Sequence, residues 1–124
     1  MSERKSPEKA SELTPLLPLR LEILLLLNDR EMHGYGIMSE LNGRNQGSFV
    51  LGPGTLYRNL KEMKETGLIE RSSRRRAGDS GNERRQYYAI TSFGRQVAAA
   101  EARRMARLVR TATLGGLLSE QERS

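Results

Sequence analysis

The stretch that decides the fold reads Gly52-Pro53-Gly54-Thr55-Leu56-Tyr57-Arg58, followed by Leu68-Ile69 and then by Gln86-Tyr87-Tyr88-Ala89-Ile90. A proline at the first position of a helix precedes two strand-like runs that flank an arginine-loaded loop. A helix can lay its polar face in a major groove while a two-stranded wing beside it reaches the phosphate backbone. The order predicts a mostly α fold with a small β-wing (α+β): a winged helix-turn-helix followed by one C-terminal helix.

Within the predicted recognition helix, 52–67, Leu56, Leu60 and Met63 fall at i, i+4 and i+7 and fix the buried face. Gly67 stands where a C-terminal glycine ends a helix. Gly54, Arg58 and Lys61 then point away from the core, with Thr55 and Tyr57 on the flanks. Arg58 suits a guanine edge and Lys61 or Lys64 a phosphate, while Gly54 lets the backbone approach an anion closely. The ordinary alternative is a solvated helix on which Arg58 pairs with Glu62 and Lys61 with Glu65.

The wing, 71–86, carries Arg71, Arg74, Arg75, Arg76, Arg84 and Arg85 against Asp79 and Glu83, six minus two, or +4 of a net charge of +6. Ala77-Gly78-Asp79-Ser80-Gly81-Asn82 is turn-forming, so the arginines line both arms of a hairpin and are expected on phosphates. On the returning strand, alternation puts Tyr88 and Ile90 in the core and Tyr87 on the sheet's other face.

Upstream, Pro15 and Pro18 belong to a first turn, so a helix begins near Thr14 or Leu17 and ends near Asn28-Asp29. Leu19, Leu21, Ile23, Leu24, Leu25, Leu26 and Leu27 cover nearly every side of it, which calls for a second partner. A further helix spans Gly34 to Asn42, and Ser48-Phe49-Val50-Leu51 reads as a short strand or extended connector. After Thr91, a suitable N-cap, the last helix runs to Leu114 and breaks at Gly115-Gly116. Its small apolar positions Ala98, Ala102, Met105, Val109 and Ala112 step by 4, 3, 4 and 3, the seam of a helix packed on another helix. With Leu108 and with Leu21, Leu24 and Leu25 of the first helix they form the expected dimer interface. Packing of these two helices within one chain is the alternative.

These elements organise the chain as a disordered basic arm (1–12), a winged helix-turn-helix (13–91), a dimerisation helix (92–114) and a flexible tail (115–124). The 124 residues suit one domain, and 21 Lys plus Arg against 15 Asp plus Glu favour a polyanionic partner. Without cysteine and with His33 as the sole histidine, no metal site is expected and no catalytic dyad or cofactor either. The apolar run Ile23 to Leu27 falls far short of the ~20 residues that span a bilayer, and Ser2 to Glu12 does not resemble a signal peptide, so a cytoplasmic, nucleoid-associated protein is expected.

Three blocks at this spacing resemble the PadR family of winged helix-turn-helix regulators, over roughly Leu13 to Glu101. They are His33-Gly34-Tyr35-Gly36-Ile37, then Gly54-Thr55-Leu56-Tyr57-Arg58 with Leu60 and Gly67-Leu68-Ile69, then Arg85-Gln86-Tyr87-Tyr88-Ala89-Ile90-Thr91 with Gly94-Arg95. The resemblance implies a homodimer on double-stranded DNA, with Tyr57 on the DNA backbone, His33 in the turn into the second helix and, usually, repression of an adjacent promoter. The single helix after the wing is similar to the family's short branch. Some short members hold flat aromatic drugs against tryptophans, but this chain has no Trp and no aromatic residue after Phe93, so a drug pocket of that design is not expected. The resemblance admits a small-molecule effector without identifying one. The rival reading is an RNA-binding or ribosome-associated winged helix, which would need stacking aromatics on an open surface.

Overall fold

The computed structural model of the chain describes residues 7–44, 50–72 and 86–123. Along the chain run α1 (Pro7–Glu12), α2 (Pro18–Asp29), β1 (Met32–His33), α3 (Gly34–Arg44), α4 (Pro53–Glu65), β2 (Ile69–Arg71), β3 (Tyr87–Ile90), α5 (Ser92–Leu114) and α6 (Glu120–Arg123). The strands form one antiparallel sheet in the order β1-β3-β2. Met32 and His33 face Tyr88 and Tyr87, and Ile69, Glu70 and Arg71 face Ile90, Ala89 and Tyr88. The α+β winged architecture expected from the sequence is the one observed.

Helix ends follow local chemistry. Gly52 is the N-cap of α4 with Pro53 in its first turn. At the other end Gly67 adopts φ 84°, and the Leu68 and Gly67 amides bond to the Met63 and Lys64 carbonyls at 2.9 and 3.0 Å. This left-handed closure favours glycine, and Leu68 and Met63 pack together in the core as it turns. Thr91 caps α5 by accepting the Gly94 amide at 2.8 Å while its hydroxyl donates to the Gly67 carbonyl at 2.6 Å. One side chain thus fixes the end of α4 against the start of α5.

Ile23 and Leu24 of α2, Ile37 of α3, Leu56, Leu60 and Met63 of α4, Leu68 and Ile69 before the wing, and Val97 of α5 meet in one core. Each fully buried side chain of this size contributes roughly 1.5–3 kcal/mol of transfer free energy. The placement of Tyr88 and Ile90 in this core agrees with the alternation of the strand. Tyr87 is buried as well, its ring centroid 5.2 Å from that of His33 and the two rings nearly perpendicular.

Several expectations are corrected. Residues 7–12, expected as disordered, form α1, which packs on α5 and buries Ala10. The tail is not featureless either: Ser119 Oγ accepts the Glu122 amide at 3.2 Å and Glu122 Oε1 accepts the Ser119 amide at 2.9 Å, a reciprocal cap that starts α6. Val50 and Leu51 join no strand, and Ser48 and Phe49 lie outside the described residues. Leu51 is held instead by Asn42, whose Oδ1 accepts its amide at 2.6 Å and whose Nδ2 donates to its carbonyl at 3.1 Å. Leu21 and Leu24, expected between two copies, are buried inside the protomer at 8% and 0% exposure because α2 packs on α5 and β3 of its own chain. Among the described residues no helix is long and apolar enough to cross a membrane.

Candidate nucleic-acid interface

Helix α4 presents Gly54, Thr55, Tyr57, Arg58 and Lys61 to solvent, with Lys64 half-buried at its edge. The pairs Arg58–Glu62 and Lys61–Glu65 do not form among the described residues. Glu62 accepts instead from the Arg20 guanidinium of α2, and Arg58 keeps its donors unengaged within that set. An arginine on an exposed helix face with five free donors is suited to bidentate recognition.

Two anchors hold the flanks of this helix. On one flank the Tyr57 ring lies over Gly34 at the start of α3: a Cβ built on Gly34 would sit 2.7 Å from Cε1 and Cζ of the ring. Tyr57 nonetheless remains 45% exposed. On the other flank the buried Asn59 accepts from Arg20 Nε at 2.8 Å through Oδ1 and donates from Nδ2 to the Thr55 carbonyl at 2.8 Å. Neither anchor was foreseen. Asn59 did leave a signal, a polar residue three positions from Leu56 and four from Met63 on the apolar side of the helix.

His33 precedes α3 and caps it: Nδ1 accepts the Gly36 amide at 2.9 Å, which agrees with its expected place in the turn. Its ring lies 6.4 Å from that of Tyr35, at 15° to it. The root of the wing is built by β2 and β3. The Ser72 amide bonds to the Tyr87 carbonyl at 2.8 Å and the Ser72 hydroxyl donates to Glu31 at 2.7 Å. Burial pushes the Tyr88 hydroxyl above its ordinary range, with Tyr57 adding to the shift and Arg71 opposing it. Arg74, Arg75, Arg76, Arg84 and Arg85, expected on phosphates, lie outside the described residues. No cluster of three or more metal-ligating side chains occurs among the described residues.

The residues expected between two copies divide into two groups. Leu25, Ala98 and Ala102 line one groove of about 190 Å³ beside Ile90, with Ala98 almost buried and Leu25 51% exposed. Farther along α5, Met105 and Leu108 are exposed and Val109 and Ala112 half-buried. The first half of α5 therefore packs within the protomer, and the second half carries an uncovered apolar stripe. At the changeover sits Glu101, only 2% exposed, whose carboxylate accepts from Arg104 Nε and Nη2 at 2.9 and 2.8 Å. Arg104 and the Leu16 amide hold the Glu101 carboxyl below the usual carboxylate range despite the opposing pull of burial.

The sequence pattern of the transcriptional regulator PadR-like family matches residues 23–100. A protein of uncharacterized function from Lysinibacillus sphaericus is 34% identical over 74 residues, which are 59% of this chain and 64% of that protein. The fold is similar to a PadR family transcription regulator from Clostridium difficile, with a TM-score of 0.62 and 25% identity over 81% of this chain and 98% of that one. It is similar as well to Bacillus subtilis PadR in complex with operator DNA, with a TM-score of 0.62 and 22% identity over 87% of this chain and 62% of that one.

Proposed function

We propose, because this chain belongs to the PadR-like family of transcriptional regulators, that it is a dimeric, sequence-specific DNA-binding regulator that represses its target promoter. Family members are transcriptional regulators, not enzymes. The observation that carries the DNA-reading part is the state of α4: its apolar face is locked in the core and both flanks are anchored, while Arg58 and Lys61 face solvent.

In this reading Gly54 to Lys61 enter a major groove and the arginines of residues 71–86 grip the adjoining phosphates. The fold relative from Bacillus subtilis holds operator DNA, which supports the same use here. Two protomers pair through the second half of α5, with Leu25 contributing from α2, and meet two half-sites about one helical turn apart. Residues 13–91 form the reading unit and 92–114 the pairing helix, and the protein works in the cytoplasm on the nucleoid.

The test is selection of duplexes from a random-sequence DNA pool by the purified protein, followed by salt titration on the selected duplex. A palindrome should emerge, and binding should fall with a log–log slope on the order of −5 to −9 if each protomer neutralises about three to five phosphates. Structured RNA outcompeting the selected duplex would transfer the protein to the RNA-binding reading.

A further inference from the structure

The side chains that would read bases are aimed by a helix whose roll about its own axis must be fixed. A roll of about 20° carries a side-chain tip about 6 Å from the axis sideways by about 2 Å. Hydrogen bonds to base edges tolerate only a few tenths of an ångström around their optimum, so roll errors cost base readout first. Phosphate contacts, made by long flexible cations to diffuse charge, tolerate them far better.

The core contacts of Leu56, Leu60 and Met63 set the depth of α4 but form a narrow apolar ridge about which the helix could turn. Roll is resisted on the flanks. Toward α3 the anchor is the hydroxyl end of the Tyr57 ring packed on Gly34, a van der Waals contact that can slide. Toward α2 it is Arg20, whose guanidinium spans two successive turns of α4, bonding Asn59 Oδ1 at 2.8 Å through Nε and Glu62 through Nη2. Asn59 passes the constraint on to the first turn through the Thr55 carbonyl at 2.8 Å. The Arg20 side chain is only 18% exposed, so its bond to the buried Asn59 competes little with water, whereas Glu62, at 49%, keeps an open side.

We propose that Arg20 is a positioning residue for sequence discrimination: it touches no DNA, and by clamping Asn59 and Glu62 it holds α4 at the roll angle that aims Arg58 into the groove. Arg20 belongs to α2, the helix that also contributes Leu25 to the groove beside α5. The clamp therefore makes the reading helix and the pairing surface parts of one rigid frame. The inference rests on the DNA-reading function proposed above.

The test compares the full chain with Arg20→Ala, Arg20→Lys and Glu62→Gln on two probes at one salt concentration. One is the duplex selected by the wild-type protein from the random pool, the other a scrambled duplex of equal length. Arg20→Ala should weaken the selected duplex about tenfold, the loss of one well-made base contact, and leave the scrambled duplex within about twofold. Its salt slope should stay at the wild-type value because no phosphate contact is lost. Arg20→Lys should fall between, since an ammonium keeps the attraction to Glu62 without the two-pronged hold. Glu62→Gln, which takes the charge from one prong while leaving a carbonyl acceptor there and the Arg20 side chain intact, should show the same selective loss at smaller size.

Equal weakening on both probes, or a salt slope flattened by about one unit, would overturn the proposal and make Arg20 a stabilising or phosphate-binding residue. Full discrimination retained in all three variants would overturn the clamp alone. A wild-type protein that does not distinguish its selected duplex from the scrambled one would overturn the regulator reading and the clamp together.

Discussion

The ring of Tyr57 lies on Gly34, a contact between the reading helix and the first residue of α3 that leaves no room for a β-carbon. Because Tyr57 is 45% exposed, the ring can swing outward if that room is taken. Gly34→Ala should therefore cost stability only about 1 kcal/mol while moving Tyr57 off its seat. Binding of the selected duplex should weaken to the level of Tyr57→Ala, and the double variant should be no worse than either alone. A titration in which the two losses add would show that Gly34 and Tyr57 act separately.

Gly94 makes the opposite kind of contact. A Cβ there would run into the carbonyl oxygen of Leu68 and stand 2.9 Å from Cγ1 of Ile90. The obstacle is backbone at the junction that Thr91 ties together, so it cannot swing away. Gly94→Ala should destabilise the fold by about 3 kcal/mol, visible as a lowered midpoint in urea. Gly54, by contrast, has nothing within 4 Å of its missing β-carbon. Gly54→Ala should leave the midpoint unchanged or slightly raised and still weaken DNA binding, because the added methyl stands where the backbone would approach the ligand.

The features legible in the sequence are those whose chemistry is local. Pro53, Gly67, Thr91 and the Gly115-Gly116 pair mark helix ends with their own backbone preferences, and the elements stop where they stand. Strand β1 has two residues, too few for any periodicity to register. Helix α1, six residues long, draws its order from packing on α5. The apolar run of α2 told that it had two sides to cover, but a helix apolar all round does not say which side its own chain covers. The run therefore does not distinguish Leu21 and Leu24, which the protomer buries, from Leu25, which it leaves at the surface. The Arg20 clamp joins residues 39 and 42 positions apart, and neither propensity nor spacing carries information over that distance.

The uncovered stripe on the second half of α5 gives a test of pairing. Leu108 is 56% exposed in the single protomer, so a carboxylate there can stay in water. Leu108→Glu should leave the melting behaviour of an isolated protomer intact, yet convert a dimer to a monomer in light scattering coupled to gel filtration. It should weaken binding to the full palindrome by more than tenfold, since the second half-site no longer adds to the first. Binding to a single half-site should change little. Leu25→Glu, at the groove beside Ala98 and Ala102, should act in the same direction. A monomeric wild-type protein with high affinity for the palindrome would remove the basis for this prediction.

Glu101 links the protomer's stability to pH. Its folded carboxyl is held below its ordinary range, first by the hydrogen bonds from Arg104 and then by that charge and the Leu16 amide. Arg104 is shifted upward by the same hydrogen bonds, so the charged pair is the favoured state. An unfolded Glu titrates near 4.3, so the stabilisation from Glu101 is complete above that pH. It is lost as the pH falls below it toward the depressed folded value, because the unfolded chain takes up the proton first. Glu101→Gln removes this linkage while keeping the side chain's size. The stability difference between wild type and Glu101→Gln should be constant from pH 8 to 6 and shrink as the pH drops below about 4.3, measured by urea denaturation at each pH. Arg104→Ala should reverse the effect by leaving a buried carboxylate without its partner, which raises its pKa and makes that variant gain relative stability in acid. A gap between wild type and Glu101→Gln that does not change with pH would mean that water, rather than Arg104, satisfies the carboxylate in solution.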